Sequence, residues 1–141
     1  MDDESTKVLT AEQCWVLLDQ EEFGRLAYRL VDEVHVVPIN YVTDGRSVVF
    51  RTAAGSKLFA AALGTDVAFE IDWHDDQSAW SVVVRGRIRI LGEDEEHRAD
   101  SLPLRPWVSG SRPNVVELSP DEVTGRWFRL GRAETDGQLI S

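Results

Sequence analysis

A short stretch near the middle of the chain concentrates the groups that bind a phosphate monoester. Arg51 ends an apolar run, and Ser56 and Lys57 follow it after a loop of small residues. A phosphate site needs cations, hydroxyl groups and unpaired backbone N–H groups, and Arg51, Thr52, Ser56 and Lys57 can supply them. The same pattern fits a simpler interpretation in which Arg51 ends a strand, Ser56 caps a helix and Lys57 is solvated.

Seven short runs of β type surround this stretch. They cover residues 23–30, 34–42, 47–52, 66–73, 79–91, 114–118 and 124–130. Polar and apolar residues alternate in 66–73 and 79–91, which predicts strands with one buried face. Asp44-Gly45 separates the second and third runs and is a strong hairpin signal, so these two strands should be antiparallel neighbours.

Two helices are expected beside the strands. Thr10 is suited to cap a helix and Gln13 to close a capping box, with the helix running to about Asp19. Its apolar residues share one face, which predicts that it lies on another surface. A second, short helix is expected from about Ser56 to Leu63, because helix formers there end at a glycine.

The pattern predicts one mainly β domain. Short strands without βαβ alternation favour an antiparallel barrel over a sandwich, because closure removes exposed edges. At 141 residues the chain has room for one domain of ordinary size. We expect residues 8–130 to form it, with a disordered N terminus over 1–7 and a mobile tail over 131–141. Prolines and acidic residues predict a long surface excursion over 92–113.

The composition excludes several function classes. A net charge of −10 without a cluster of cations argues against binding to nucleic acid or to anionic membranes. No apolar run approaches the roughly 20 residues that span a bilayer, and the acidic start does not resemble a signal peptide. A cytoplasmic protein is therefore expected. The single cysteine, Cys14, is expected to serve packing.

The order of these segments resembles that of the pyridoxamine 5′-phosphate oxidase-like flavoproteins, specifically their small bacterial members. The segments that carry the resemblance are Phe23-Gly24-Arg25-Leu26-Ala27, Val37-Pro38-Ile39-Asn40-Tyr41, Val49-Phe50-Arg51-Thr52, Gly55-Ser56-Lys57, Val67-Ala68-Phe69-Glu70 and Trp80-Ser81-Val82-Val83-Val84-Arg85-Gly86. The resemblance spans roughly residues 8 to 130. It implies a six- or seven-stranded split β-barrel, a homodimer, and FMN held in a groove at the subunit interface.

For the phosphate end of FMN, the resemblance implies two cations and two hydroxyl residues. Arg51 and Lys57 would grip the phosphate, and Thr52 and Ser56 would add hydroxyl or backbone contacts. These are the residues that the phosphate chemistry had already singled out.

For the ring end, the resemblance implies a lining made by Pro38, Ile39 and Asn40, with Phe50 beside the isoalloxazine. A proline inside a strand removes a ladder donor and leaves a break where a ligand can meet the backbone. Without the resemblance, an edge strand is the preferred interpretation of this proline.

Four residues farther along the chain complete the implied site. Trp80 and Ser81 match the place where such proteins bring a strand, often the partner's, toward the flavin. Trp107 and Trp127 lie in later segments that could close the pocket. On pattern alone Trp80 fits a core position equally well, because it begins the apolar face continued by Val82.

Departures from the family pattern limit the reaction. Vitamin B6 oxidases use a late arginine–histidine pair, whereas residues 126–129 contain no histidine, so pyridoxamine phosphate oxidation is not expected. Relatives also include deazaflavin-dependent reductases and haem binders. The acidic chain disfavours a deazaflavin with its acidic tail, although Arg85, Arg87 and Arg89 could form a basic stripe or pair with carboxylates. The histidines, notably His35, are expected on the surface.

These observations favour a homodimeric, FMN-binding oxidoreductase that passes hydride or electrons from a soluble donor to a small acceptor. The cofactor would carry that chemistry, so no catalytic side chain is required. The alternatives are a non-catalytic flavin-binding or sensing module, a deazaflavin-dependent reductase, and an empty barrel that binds a partner. No metal site is expected, because residues 72–76 fit a polar hairpin connection better than a cation loop.

Overall fold

The computed structural model describes residues 5–52, 65–102 and 114–131. The strands in these ranges are β1 (Thr6–Val8), β2 (Phe23–Leu30), β3 (Glu33–Thr43), β4 (Val48–Thr52), β5 (Asp66–His74), β6 (Ser78–Ile90) and β7 (Asn114–Arg129), and the helix α1 spans Ala11–Gln20. A 3-10 helix covers Glu96–Ala99. The predicted mainly β fold is confirmed, while the helix predicted over 56–63 lies outside the described residues.

Six of these strands close into an antiparallel barrel. Neighbours follow the order β7-β4-β3-β2-β5-β6, and a further pairing of β6 with β7 closes the ring, while β1 adds to β7. The wall is not uniform, because β3 pairs with β2 over eight residues but with β4 over only three. The barrel is therefore split between β3 and β4, as the resemblance implied.

One long strand, β7, replaces two of the predicted strands. The sequence predicted separate strands over 114–118 and 124–130, yet β7 stays paired with β6 from Val116 to Arg129. The register shifts between Arg85 and Gly86, so that Arg85 pairs with Glu122 and Gly86 with Pro120. A bulge of this kind inserts one extra residue into a strand and tolerates proline, which explains why a turn signal stands inside a continuous strand.

Helix α1 covers the interior of the barrel at one end. The predicted capping box is present, with Gln13 N donating to Thr10 Oγ1 over 3.1 Å and Thr10 N donating to the Gln13 side chain over 2.9 Å. Cys14 and Leu18 are fully buried in the core cluster, and Tyr41 Oη donates to Leu18 O over 2.7 Å. The helix therefore joins the core to β3, and Cys14 has the packing role that was expected.

A second apolar cluster lies on the outer face of β4 and β7. Its buried members are Val49, Leu91, Ala99, Leu102 and Val115. The segment from 92 to 102 was predicted as part of a surface excursion, but the 3-10 helix at its centre buries Ala99 against the barrel wall. The alternation of β4 explains this contact, because Val49 faces outward between the inward-facing Val48 and Phe50 and needs cover.

Two further predictions are corrected. Thr6 and Lys7, assigned to a disordered terminus, pair with β7 as part of β1. His35, expected on the surface, stacks on Tyr28 with ring centroids 5.1 Å apart. Its neighbours Val34 and Val36 are instead the exposed side chains, with 67% and 60% of their surface accessible. The apolar face of β3 thus points outward at this end of the strand.

Candidate functional site

The candidate site lies where β3 and β4 separate. Tyr41 and Phe50 form the last pair of the β3–β4 ladder. Asn40 and Arg51 are the next residues on the two strands and do not pair with each other. β4 continues beside β7 through Arg51 and Thr52, while β3 continues beside β2. The backbone therefore opens into a split at the position predicted to meet a ligand.

Strand alternation divides the predicted residues between the two faces of the wall. Tyr41 and Phe50 are buried inside the barrel, so Asn40 and Arg51 project from the outer face. Pro38 shares the outer face of β3 with Asn40 and is exposed. The sequence therefore identified three residues that the fold brings to one side of the split.

Three other predicted residues face inward. Ile39 packs against the core, Thr52 is buried at the end of β4, and Phe50 has no accessible surface. The Phe50 ring is therefore a core side chain rather than a wall of the site, because the alternation of β4 turns it away from the face that carries Arg51. Only the backbone of these residues can border a ligand on the outer face.

The guanidinium of Arg51 has a hydrogen-bond partner on only one of its two terminal nitrogens in the described residues. Its Nη2 donates to Ala99 O over 3.0 Å, whereas Nη1 is buried and has no hydrogen-bond partner within the described part of the chain. A buried donor left without a partner costs about 1–3 kcal/mol, and more when it is charged. Such a group needs an explanation, and a ligand with acceptor oxygens provides one.

Asn40 presents a second buried donor of the same kind. Its Nδ2 is buried without a hydrogen-bond partner in the described residues. Asn40 and Arg51 are the two first residues beyond the end of the ladder, so both unpartnered donors occur at the split and on the same face. Together they make the split a candidate site for a ligand that is rich in hydrogen-bond acceptors and carries negative charge.

A charged network holds the 3-10 helix beside Arg51. Arg98 Nη2 donates to Glu117 Oε2 over 2.7 Å and to Ser47 Oγ over 3.1 Å, and its Nε donates to Asp44. Burial raises the pKa of Glu117, but hydrogen bonds from Arg98 and Ser47 outweigh it and hold that pKa below its ordinary value. Glu117 is therefore a buried carboxylate stabilised by Ser47, directly before β4, and by Arg98, on the segment that supplies Ala99.

A second charged cluster borders Pro38 on the outer face. Arg25 pairs with Pro38 in β3 and with Glu70 in β5, and its Nη1 donates to Glu70 over 2.8 Å and to Asp72 over 3.0 Å. Burial and the adjacent Asp72 raise the pKa of Glu70 to about 7. The pKa of Asp72 is lowered by its hydrogen bond with Glu70 and by Arg25. Glu70 is therefore partly protonated near neutral pH, whereas Asp72 stays ionised.

Two of the predicted tryptophans, Trp80 and Trp127, form a row across the sheet with Trp73. Trp80 pairs with Trp73 in β5 and with Trp127 in β7, and Lys7 Nζ lies 5.3 Å from the Trp127 ring centroid. Trp80 packs against the barrel core, so the row continues the inner face and lies on the other side of the wall from Asn40. Ser81 faces outward and pairs with Asp72 in β5. Within the described residues, Trp80 and Trp127 are therefore not brought to the split.

Several predicted features fall elsewhere or outside the described chain. Ser56, Lys57 and Trp107 lie outside the described residues. Within residues 5–52, 65–102 and 114–131, no group of three acidic, histidine or cysteine side chains is placed to hold a metal ion. The hairpin connection predicted over 72–76 is shorter, because Asp72 and His74 still belong to β5 and only residues 75–77 join β5 to β6. Within it, Asp75 accepts hydrogen bonds from the backbone N–H of Gln77 and Ser78.

The basic stripe on β6 is mostly neutralised. Arg87 pairs with Asp66 over 3.2 Å, and Arg89 pairs with Glu117 over 2.9 Å and with Glu95 over 3.2 Å. The interpretation that these arginines pair with carboxylates across the sheet therefore holds for Arg87 and Arg89.

The sequence did not identify the charged residues behind Arg51. Arg98 lies 47 positions after Arg51, and Glu117 follows another 19 residues later. No local spacing links them, because their contact depends on the 3-10 helix folding back onto β4 and β7. The one available signal was a glutamate among the otherwise apolar residues 115–118, since a charge at a buried strand position needs a partner.

Comparisons with known proteins agree with this architecture. The FAD binding protein from Mycobacterium smegmatis has a structure that superposes with a TM-score of 0.79, at 40% identity over 89% of this chain and 100% of that chain. A conserved protein of unknown function, DIP1874 from Corynebacterium diphtheriae, superposes with a TM-score of 0.74, at 34% identity over 88% of this chain and 98% of that chain. The uncharacterized protein Rv3129 from Mycobacterium tuberculosis is 43% identical over 91 residues, which cover 64% of this chain and 83% of that protein.

A six-stranded antiparallel barrel that opens between two strands defines the split-barrel class. The family model described as pyridoxamine 5′-phosphate oxidase matches residues 10–127, and the chain belongs to this family. The resemblance to this family that the sequence indicated is thereby confirmed. In the described part of the chain, none of the helices has the length and apolar character required to cross a membrane.

Proposed function

We propose that the split between β3 and β4 binds the phosphate and ring of FMN, and that the protein is a homodimeric flavin-dependent oxidoreductase. The observation that carries this proposal is the pair of buried, unpartnered donors, Asn40 Nδ2 and Arg51 Nη1, at the end of the β3–β4 ladder. A flavin offers carbonyl and ring-nitrogen acceptors at one end and phosphate oxygens at the other, which suits two such donors.

The phosphate end is assigned to Arg51 and the segment that follows β4. Arg51 contributes Nη1, and Lys57 contributes a second cation from a segment that begins only a few residues later in the chain. Thr52 and Ser56 are assigned hydroxyl or backbone contacts. An arginine with one amine already held by a carbonyl is well suited to this task, because less side-chain freedom is lost when it binds phosphate.

The ring end is assigned to the outer face of β3. Pro38 offers a flat apolar surface without a backbone donor, Asn40 offers a donor, and Ile39 lies between them with its side chain in the core. A bound flavin supplies hydride and single-electron transfer, and these residues would orient its ring and exclude water. The proposal requires no acid or base from the protein.

A second copy of the chain is assigned to complete the site. Val34 and Val36 lie on the same outer face as Pro38 and leave an exposed apolar strip beside the split. Exposed apolar strips of this kind are typical of protein interfaces. Trp80 and Ser81 are assigned to the strand that this partner would bring toward the flavin, and Trp107 and Trp127 to the segments that would close the pocket.

The choice of FMN over FAD is tested by extracting the flavin. The M. smegmatis relative is an FAD binding protein, whereas we expect this chain to retain FMN, because the arginine and lysine assigned to the phosphate suit a terminal dianion. Heat-released cofactor is separated by chromatography against both standards. Recovery of FAD instead would correct the cofactor and keep the flavin site, whereas a barrel that takes up neither would contradict both.

The oxidoreductase assignment needs a second experiment. The flavin-loaded protein is mixed anaerobically with reduced nicotinamide nucleotide, and flavin absorbance is followed. Bleaching is the expected result, and re-oxidation by a small acceptor would complete a turnover. A flavin that stays oxidised with every soluble donor would favour the alternative of a sensing or storage module. The deazaflavin alternative is less favoured, since Arg87 and Arg89 already have carboxylate partners.

A further inference from the structure

We infer that Arg98 and Glu117 are positioning residues for Arg51: they fix the direction in which its guanidinium meets the flavin phosphate. The inference rests on the proposed function and assigns this role to two residues that do not reach the split. It begins with the side-chain hydrogen bond that Arg51 makes within the described residues, from Nη2 to Ala99 O over 3.0 Å.

The Ala99 carbonyl sets the orientation of Arg51. It accepts from Arg51 Nη2 and also from the backbone N–H of Leu102, over 3.1 Å. Because a guanidinium is planar and its donors are rigidly arranged, holding Nη2 also determines where Nη1 points. Any displacement of Ala99 therefore redirects the amine that is left for a ligand.

Arg98 holds Ala99 in place through its own side chain. Its Nη2 donates to Glu117 Oε2 over 2.7 Å and to Ser47 Oγ over 3.1 Å, and its Nε donates to Asp44. The Arg98 and Glu117 side chains are only 18% and 10% exposed, so solvent screens this pair less than a surface ion pair. One side chain thus binds the 3-10 helix to the β3–β4 connection and to β7.

The strand register places this anchor next to Arg51. Glu117 pairs with Val49 and Val115 pairs with Arg51, so the Glu117 carboxylate lies on the same outer face, one pleat away from Arg51. Arg89 Nε occupies the second Glu117 oxygen over 2.9 Å. Both oxygens of Glu117 therefore accept hydrogen bonds, and the Arg98–Glu117 pair acts on Arg51 through the position of Ala99.

This arrangement predicts an effect that depends on phosphate. Riboflavin shares the ring and ribityl chain of FMN but lacks the phosphate, so it does not use Arg51. Replacing Arg98 should weaken FMN and leave riboflavin unchanged. General damage to the barrel would weaken both ligands together.

The experiment measures dissociation constants for FMN and riboflavin by quenching of flavin fluorescence in the full-length protein. The variants are Arg98→Gln, Arg98→Lys, Arg51→Ala and the double variant Arg51→Ala/Arg98→Gln. Arg87→Gln is the matched control, since it removes the same charge from an exposed pair with Asp66. Arg98→Lys keeps the charge and therefore serves also as the milder variant if Arg98→Gln does not fold.

We expect Arg98→Gln to weaken FMN about tenfold, the scale of one charge-assisted hydrogen bond, and Arg87→Gln to have no effect. Arg98→Lys should restore little of the loss, because one ammonium group cannot span three acceptors. In the Arg51→Ala background the Arg98 effect should vanish. Equal weakening of riboflavin, full rescue by lysine, or additive losses would overturn the inference. If Arg51→Ala itself leaves FMN binding unchanged, the proposed phosphate site fails and the inference with it.

Discussion

Asn40 and Arg51 are the first two residues beyond the last β3–β4 pair, Tyr41 and Phe50, and each carries a buried donor without a partner in the described residues. A fold optimised for stability alone would pair these groups or replace them with apolar ones. The described structure instead leaves both donors where the barrel opens. The free-energy cost of burying these donors is expected for a binding site whose ligand supplies the missing acceptors.

That cost makes a prediction about Asn40. Asn40→Leu has nearly the same shape and removes the unpartnered donor, so the ligand-free protein should gain stability, by about 1 kcal/mol. Flavin affinity should fall in the same variant, because the ring loses a donor. Denaturant unfolding and fluorescence titration measure the two effects. A variant that loses stability but keeps its flavin affinity would show that Asn40 is a structural residue.

The two-residue hairpins make a prediction about backbone strain. Gly45 follows β3 with a φ of 65°, and Val31 occupies the corresponding position between β2 and β3 with a φ of 58°. A β-branched residue is strained in this region of φ. Val31 is 82% exposed, so replacing its side chain removes little stabilising packing. Val31→Asn should therefore stabilise the protein by about 1 kcal/mol.

Val8→Asn is the matched control for that change. Val8 is 80% exposed, and Val31 is the sole non-glycine residue with a positive φ in the described ranges. Thermal unfolding should show a higher midpoint temperature for Val31→Asn and an unchanged midpoint for Val8→Asn. Equal shifts in the two variants would mean that surface polarity, and not backbone strain, produced the change.

Close strand contact at the bulge makes a prediction about Gly86. A Cβ atom at this position would lie 2.0 Å from the backbone oxygen of Ser119, so the β6–β7 pairing has to move to admit it. Gly86→Ala should destabilise the protein by about 3 kcal/mol or more. Gly131→Ala, with no heavy atom within 4 Å of the added carbon, should have little effect on urea unfolding. A tolerated Gly86→Ala would contradict the register of the bulge.

The pair of carboxylates beside Pro38 predicts a pH dependence of stability. The pKa of Glu70 is raised from 4.5 to about 7, so the folded state binds a proton that the unfolded state has released over this range. Stability should then decrease as the pH rises from about 4.5 to 7. The lowered pKa of Asp72 works oppositely, but its contribution is lost only as the pH falls below 3.8.

Glu70→Gln isolates this contribution. The amide keeps an acceptor for Arg25 and removes the repulsion by Asp72, so the loss of thermal stability between about pH 5 and pH 8 should be smaller than in the unmodified protein. Glu122→Gln, an exposed carboxylate on β7, provides the control. If both variants lose stability with pH as steeply as the unmodified protein, Glu70 does not hold the extra proton.

Local patterns in the sequence predicted much of the fold. Thr10 and Gln13 identified the start of α1, and Asp44-Gly45 identified the β3–β4 hairpin, because a cap and a tight turn each depend on residues within a few positions. Alternation within β5 and β6 predicted their buried faces correctly. Where two elements meet only through long-range pairing, the local pattern was a poor guide, as the single strand β7 shows.

Other features depend on contacts that no local pattern contains. His35 faces inward because Tyr28 stacks on it from β2, and Val34 and Val36 then face outward against the usual order of burial. The link from Glu117 to Arg98 depends on the 3-10 helix packing against two strands. At the site, the family resemblance singled out Arg51 and Asn40, but the unpartnered donors that make them candidates are visible only in three dimensions.

The most direct test of the account is flavin retention by the double variant Arg51→Ala/Lys57→Ala. The purified full-length protein should carry FMN in a stoichiometric amount, detected by absorbance after heat release. The double variant should retain the β-rich circular dichroism spectrum and carry no FMN, because the phosphate has lost both cations. Stoichiometric FMN on the folded double variant would contradict the assignment of the phosphate to the end of β4.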